Sequence, residues 1–194
     1  MNDSARVGVD QLTLTIYSTD TSLNQGSTLR DLYAEIYAEP PYNEGPEEAD
    51  DFASGWHRTI DQRNFRLVIA RRADEAIGFA FGVQLRARTK WWNGALTPLP
   101  NDVTTEYPGR TFAIIELAVR HPYRRKGIGR LLHTHLIAGL SEERITLLVR
   151  PEMPAAQRAY LSWGYRAIGQ IQPFPRAPVY NAMIKQLVCS ATQP

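Results

Sequence analysis

The fold turns on the reading of one stretch, HPYRRKGIGRLL, residues 121–132. Three cations, Arg124, Arg125 and Lys126, run directly into Gly127-Ile128-Gly129, and an apolar-periodic segment begins at once. Upstream, TFAIIELAV (111–119) is rich in β-formers and reads as a strand. Downstream, Ile128, Leu131, Leu132, Leu136 and Leu140 recur at helical spacing. A helix start presents unpaired N–H groups and about half a positive charge, so it attracts anions. Successive amides can wrap a phosphate where no side chain intervenes. Gly127 and Gly129 remove two Cβ atoms at that point, and the three cations ring it with fixed charge. The combination suits a diphosphate. Taken alone, a basic triplet is also an ordinary solvated surface run. The glycines at fixed offsets, with a strand before and a helix after, favour the phosphate reading.

Working outward, QLTLTIYS (11–18) alternates Leu12, Leu14 and Ile16 against threonines, as a strand does. Ser27 is placed to cap a helix whose face is Leu29, Leu32, Tyr33, Ile36 and Tyr37. Glu39-Pro40-Pro41 stops it. An acidic segment then opens a second helix with Phe52, Trp56 and Ile60 on one face. FRLVIARR and AIGFAFGVQLR, separated by Ala73-Asp74-Glu75, predict a hairpin. Residues 87–109 show no period, and so long an irregular connector is usually functional or mobile. ITLLVR predicts a strand covered on both sides. PAAQRAYLSW predicts a helix closed by Gly164, and two strands, YRAIGQI and PVYNAMIKQLV, finish the chain. Strands interspersed with helices argue for a single α/β (α+β) domain over 1–194: a mixed central sheet of about seven strands with helices on both faces. Its middle strand–helix–strand unit is a parallel crossover.

The Walker pattern is absent, and Leu132 stands where a dinucleotide fingerprint needs its third glycine. What stands instead is R-x-x-G-x-G, Arg124 to Gly129, after a strand and before a helix. Together with IIELAVRHPYRRKGIGRLLHTHL and ITLLVRPE...AAQRAYLSWGY, this pattern resembles the GNAT superfamily of acetyl-CoA-dependent N-acyltransferases. The front half of the chain matches in element order only. The resemblance implies acetyl-CoA as cosubstrate, bound where two parallel strands splay, with the acetyl group passed to an amine in a ternary complex. It implies backbone contacts from Leu117, Ala118 and Val119 to the pantetheine arm. It also implies diphosphate contacts from the amides of Arg124, Arg125, Lys126, Gly127, Ile128, Gly129 and Arg130. One departure stands out: Met153 occupies a position that is usually asparagine in the family. It leaves open the alternative of a module that binds CoA or a nucleotide as a sensor without turnover.

An alkylamine has a pKa near 10.4 and arrives protonated, so freeing its lone pair at pH 7 costs about 4–5 kcal/mol. Glu116 interrupts an otherwise apolar strand, where a carboxylate is expensive unless wetted or paired. It is the candidate base or amine anchor. The alternative is a strand-end carboxylate in solvent or paired with Arg150. Tyr160 falls where the resemblance puts a general acid. A phenol near pKa 10 is a poor acid toward a thiolate, so a hydrogen bond to the leaving sulfur fits better. Packing with Ala156 and Trp163 at helical spacing also accounts for it.

The acceptor side is less legible. Tyr33, Tyr42, Trp91 and Trp92 are candidate substrate residues, the two tryptophans either walling a pocket or covering a core edge. Glu44, Glu47, Glu48, Asp50 and Asp51 form an acidic rim that either attracts a cation or complements a helix start. The acceptor class is a small-molecule amine or a peptide. A formal charge of +2 gives no reason to expect nucleic acid or membrane as partner. His133 and His135 are two apart, on different helix faces, and HExxH is absent, so no metal is expected. Cys189, the one cysteine, has no motif histidine and suits a reducing, cytoplasmic setting. No run reaches the ~18 apolar residues of a membrane span. A homodimer through the last strands is compatible with the pattern.

Overall fold

The computed structural model describes residues 12–187. Its elements are β1 (Leu12–Tyr17), α1 (Thr19–Ser22), a 3₁₀ turn (Leu23–Gln25), α2 (Gly26–Tyr37), α3 (Pro46–Ile60), β2 (Arg66–Arg72) and β3 (Glu75–Gln84). They continue with α4 (Asn101–Thr104), β4 (Thr111–Val119), a 3₁₀ turn (His121–Tyr123), α5 (Ile128–Ile137), β5 (Arg144–Val149), α6 (Pro154–Ser162), β6 (Arg166–Ile171) and β7 (Tyr180–Gln186). The seven strands form one mixed sheet in the order β1-β2-β3-β4-β5-β7-β6. This is the α/β arrangement expected from the sequence. Backbone contacts divide the chain into two compact units. The first runs up to His57 and takes in Arg66–Ala80 and Leu117–Ile137; the second holds Arg58–Phe65, Phe81–Glu116 and the chain from Ala138 onward.

In the first unit β1 pairs antiparallel with β2, from Leu12 opposite Arg72 to Tyr17 opposite Leu67. Leu29, Leu32, Ile36, Leu67, Ile69, Ile77, Phe79, Leu132 and Leu136 are buried in its core. The predicted faces of α2 and α3 are therefore real, with Trp56 donating its indole N–H to the Ser22 carbonyl at 3.0 Å. Three local expectations need correction. Ser27 does not cap α2, because the chain is already helical by Gly26, with Gln25 as the N-cap residue after a tight 3₁₀ turn. Leu131 lies on the outer side of α5 at 39% exposure, the inner face being Ile128, Leu132, His133 and Leu136. Leu140 lies beyond the end of α5 at Ile137.

In the second unit β4 and β5 are parallel, but their ladder is short: Thr111, Phe112 and Ala113 opposite Arg144, Ile145 and Thr146. On its other side β5 pairs with β7 along its whole length, Arg144 opposite Gln186 through Val149 opposite Asn181. β6 closes that edge against β7, with a bulge between Ala167 and Gly169. Gly164 follows α6 at φ +91°, the left-handed conformation expected of a helix-ending glycine. Val188 and Cys189 lie outside the described residues.

The irregular connector is tied into this second unit. Trp92 is buried with Leu85, Ala113, Ile171, Ala182 and Ile184. Its indole N–H donates to Glu106 Oε1 at 3.0 Å. Glu106 also receives the Thr111 hydroxyl at 2.9 Å and the Arg144 guanidinium at 2.8 Å. Arg144 donates further to the Thr111 hydroxyl and the Val103 carbonyl, and its guanidinium lies over the Trp92 ring at 5.6 Å. Glu106 and Arg144 are both buried, so each needs the other: an unpaired charge there is far costlier than the pair. Arg144→Ala should therefore destabilise the protein by roughly 3–5 kcal/mol. Urea unfolding checks this; a loss under about 1 kcal/mol would show that packing alone holds the connector.

Candidate functional site

β4 ends at Val119, and the chain turns through His121–Tyr123 into Arg124–Gly127 before α5 begins. Arg125 and Gly127 both take positive φ, +60° and +83°. The first helical bond of α5 runs from Leu131 N–H to the Gly127 carbonyl at 3.1 Å. The amides of Ile128, Gly129 and Arg130 thus precede the helical ladder, where backbone donors have no intrahelical partner. A Cβ built at Gly127 meets nothing within 4 Å, so the space beside the bend is open and any side chain there would fill it. At Gly129 a Cβ would sit 3.6 Å from Leu117 Cδ2, so the helix start rests closely on β4. The expected side-chain-free bend at a helix N-terminus is present.

The three cations of the motif are not alike. Arg125 and Lys126 are exposed, with Lys126 Nζ 5.7 Å from the Tyr123 ring. Tyr123 donates to Glu75 Oε2 at 3.0 Å, and that hydrogen bond, then burial, holds its phenol above the usual range. Arg124 is half-buried and turned inward. Its Nε donates to the Val119 carbonyl at 2.8 Å and its Nη1 pairs with Glu39 at 2.7 Å.

Glu116 is half-buried on β4, three residues past the end of the β4–β5 ladder. Tyr160 is buried on α6, its ring edge-on to Trp163 (5.4 Å) and Tyr165 (5.6 Å). Burial, then the neighbouring Tyr160, pushes the Tyr165 phenol far up, so Tyr165 stays protonated. Met153 precedes α6 without a side-chain cap. The polar ties at this helix start come from Gln157. Its amide donates to the carbonyls of Arg150 (3.2 Å) and Pro151 (2.8 Å) and accepts from Asn181 Nδ2 at 2.9 Å. No motif in the sequence singles out Gln157, because its partners come from the β5–α6 turn and from β7.

The candidate acceptor residues fall in different units. In the first, Tyr33 stacks on Tyr37 (4.3 Å) and Phe52 (4.6 Å), and Tyr42 meets Tyr37 edge-on at 4.6 Å. Tyr33 donates its hydroxyl to Glu44 Oε2 at 2.6 Å. Most of the acidic rim has local work: Glu48 accepts from Gly45 N–H at 2.8 Å, Asp50 pairs with Arg30 at 2.7 Å, and Glu47 and Glu48 lie in the first turn of α3. In the second unit Trp92 is core, and half-buried Trp91 donates to Thr146 Oγ1 at 3.3 Å. Among the described residues no cluster of His, Cys, Asp and Glu could hold a metal ion, and no helix is long and apolar enough to cross a membrane.

A family model described as the acetyltransferase (GNAT) family matches residues 28–165. The chain belongs to the GNAT acetyltransferase family. A search of curated protein sequences finds no match. Among solved structures the chain resembles PH1933 from Pyrococcus horikoshii OT3, with a TM-score of 0.64 and 19% identity, covering 92% of this chain and 99% of that one. It also resembles yncA from Salmonella typhimurium, solved with its cofactor acetyl-CoA, at 0.63 and 14% (95% and 98% covered). A third likeness is the paia N-acetyltransferase from Thermoplasma acidophilum in complex with coenzyme A, at 0.60 and 12% (91% and 99% covered). At these identities the likeness is one of fold. Within this GNAT chain, the bend at Gly127 demands its φ whatever it binds. Gly127→Ala should cost about 1–2 kcal/mol from the left-handed backbone alone. Thermal unfolding without ligand checks this, and an unchanged midpoint would show that the bend relaxes freely.

Proposed function

We propose that this protein is an N-acetyltransferase that transfers the acetyl group of acetyl-CoA to a primary amine, of a small molecule or a peptide, by direct attack in a ternary complex, acting as one domain. The observation that carries the reading is the open, side-chain-free bend at Gly127, set against the unpaired amides that start α5. A diphosphate is the group such a bend suits, and a GNAT chain makes coenzyme A its natural bearer. The amides from Arg125 to Arg130 hold the diphosphate, with Arg125 and Lys126 supplying exposed charge; the Arg124 amide is taken by the His121 carbonyl at 3.1 Å and drops out of the set. The backbone of Leu117, Ala118 and Val119 pairs with the pantetheine amides. Bound there, acetyl-CoA supplies an activated thioester.

Glu116 then takes the ammonium proton of the acceptor, directly or through water, offsetting the ~4–5 kcal/mol that deprotonation costs at neutral pH. The amine nitrogen forms its bond to the carbonyl carbon as the carbon–sulfur bond breaks and the electron pair leaves with sulfur. The nitrogen then sheds its extra proton, which passes through water to the thiolate and leaves the amide and the free thiol of coenzyme A. Tyr160 donates a hydrogen bond to that sulfur. Tyr33 and Tyr42, with Glu44 beside Tyr33, and Trp91 are the proposed acceptor-side residues; Trp92, buried in the core with its indole on Glu106, is not among them. Gln157 ties down the turn before α6, so the lack of asparagine at Met153 does not leave that turn loose.

Gly127→Glu should abolish coenzyme A binding by calorimetry, because it sets a carboxylate in the open space beside the bend. Unchanged affinity would remove the bend from the site. Glu116→Gln should lower kcat/KM for the amine about 100-fold near neutral pH, with the loss largest at low pH, where the amine is most protonated. Thiol release across a panel of amines reads this out. A profile like that of the unaltered protein would remove Glu116 from the chemistry, and coenzyme A binding with no turnover on any amine would mark a sensor.

A further inference from the structure

The side chain of the first cation of the R-x-x-G-x-G motif is engaged by the chain itself. Arg124 grips the last carbonyl of β4, at Val119, with Nε and the Glu39 carboxylate with Nη1, at 2.8 and 2.7 Å. Glu39 stands 85 residues upstream, in the turn just past α2, where its own carbonyl receives the N–H groups of Tyr42 (3.1 Å) and Asn43 (3.2 Å). The Arg124 amide donates to the His121 carbonyl at 3.1 Å, and Tyr123 N–H to that of Arg120 at 2.9 Å. The segment from Val119 to Arg124 is thus closed on itself by one side chain, and that side chain is braced by Glu39. All of these residues lie in the first unit.

We infer that Glu39 and Arg124 are a positioning pair: Arg124 shapes the diphosphate loop and is not itself a phosphate ligand, and Glu39 keeps it so. The inference rests on the coenzyme A site proposed above. Backbone amides bind an anion only when they converge, so the affinity of such a loop depends on its shape being set beforehand. A carboxylate beside a phosphate-binding arginine would work against binding by neutralising it. A carboxylate that locks the arginine against the strand end aids binding by fixing the amides. The two arrangements predict opposite signs for the loss of Glu39.

The test is calorimetric titration of the full chain with coenzyme A for the unaltered protein, Glu39→Gln, Arg124→Gln and the double variant, with thermal unfolding of each. The positioning pair requires each single variant to bind about tenfold more weakly, as the loss of one charge-assisted hydrogen bond implies. The double variant should bind no more weakly than the weaker single one, since both break the same strut. The salt dependence of binding should stay unchanged in Arg124→Gln and become shallower in Lys126→Gln. At saturating acetyl-CoA, kcat of Glu39→Gln should stay within about twofold of the unaltered value. Tighter or unchanged binding by Glu39→Gln overturns the inference, as do additive losses or a shallower salt dependence in Arg124→Gln. If Arg124→Gln fails to fold, the sign of the Glu39→Gln effect decides alone. An unaltered protein that binds no coenzyme A sinks the underlying site and the inference with it. Binding by the unaltered protein with a tightened Glu39→Gln sinks the inference alone.

Discussion

Unpaired backbone donors at the start of α5 are the feature around which the first unit is arranged. A helix cannot satisfy its own first amides, which take caps, water or a ligand as partners. Here the chain before the helix takes two left-handed residues, Arg125 and Gly127, and leaves the space at Gly127 open. The bend is kept in place from behind: Gly129 rests near Leu117, Tyr123 is tied to Glu75, and Arg124 is tied to Val119 and Glu39. Each contact constrains the backbone and none occupies the open side. Where backbone amides do the binding, rigidity behind the loop and vacancy in front of it are complementary requirements.

The second unit meets a different constraint. Its connector between β3 and β4 is long and irregular, and it carries polar groups into a buried setting. The answer is a network in which Glu106 Oε1 receives Trp92, Thr111 and Arg144, while the buried Oε2 has no hydrogen-bond partner among the described residues. Such a network stabilises little beyond an apolar core of the same shape, but it is intolerant of a missing member. It fixes which way the connector runs, and it fixes Trp92 as a core residue. The short ladder between β4 and β5 belongs to this unit as well: the strands pair where Thr111 meets Arg144 and stop after Ala113.

Much of this was legible in the residues. The order of the strands and of the longer helices, the α2 and α3 faces, the hairpin of β2 and β3, the glycine end of α6 and the bend after β4 all follow from local rules; the one-turn helices α1 and α4 show no such signal. Periodicity, glycine and proline placement, and β-branching act within a few residues of where they are read. The misreadings were local too. Ser27 looked like a cap because its side chain can cap, but the preceding 3₁₀ turn had already started the helix at Gly26. Leu131 falls at the spacing of the inner face of α5, and apolar spacing alone does not say which of two adjacent leucines is covered.

From its sequence alone this chain declares a mixed sheet with interspersed helices and a phosphate-type bend between β4 and α5, because those features depend on neighbours in the chain. What the sequence left open is which charges are matched and which aromatics are core. Arg124 reads as one of three equal cations until Glu39 is brought to it across 85 residues. Trp91 and Trp92 read as equivalent until Glu106 takes the indole of one and Thr146 that of the other. A charge or an indole chooses its partner by distance in space, and only the packed sheet sets that distance.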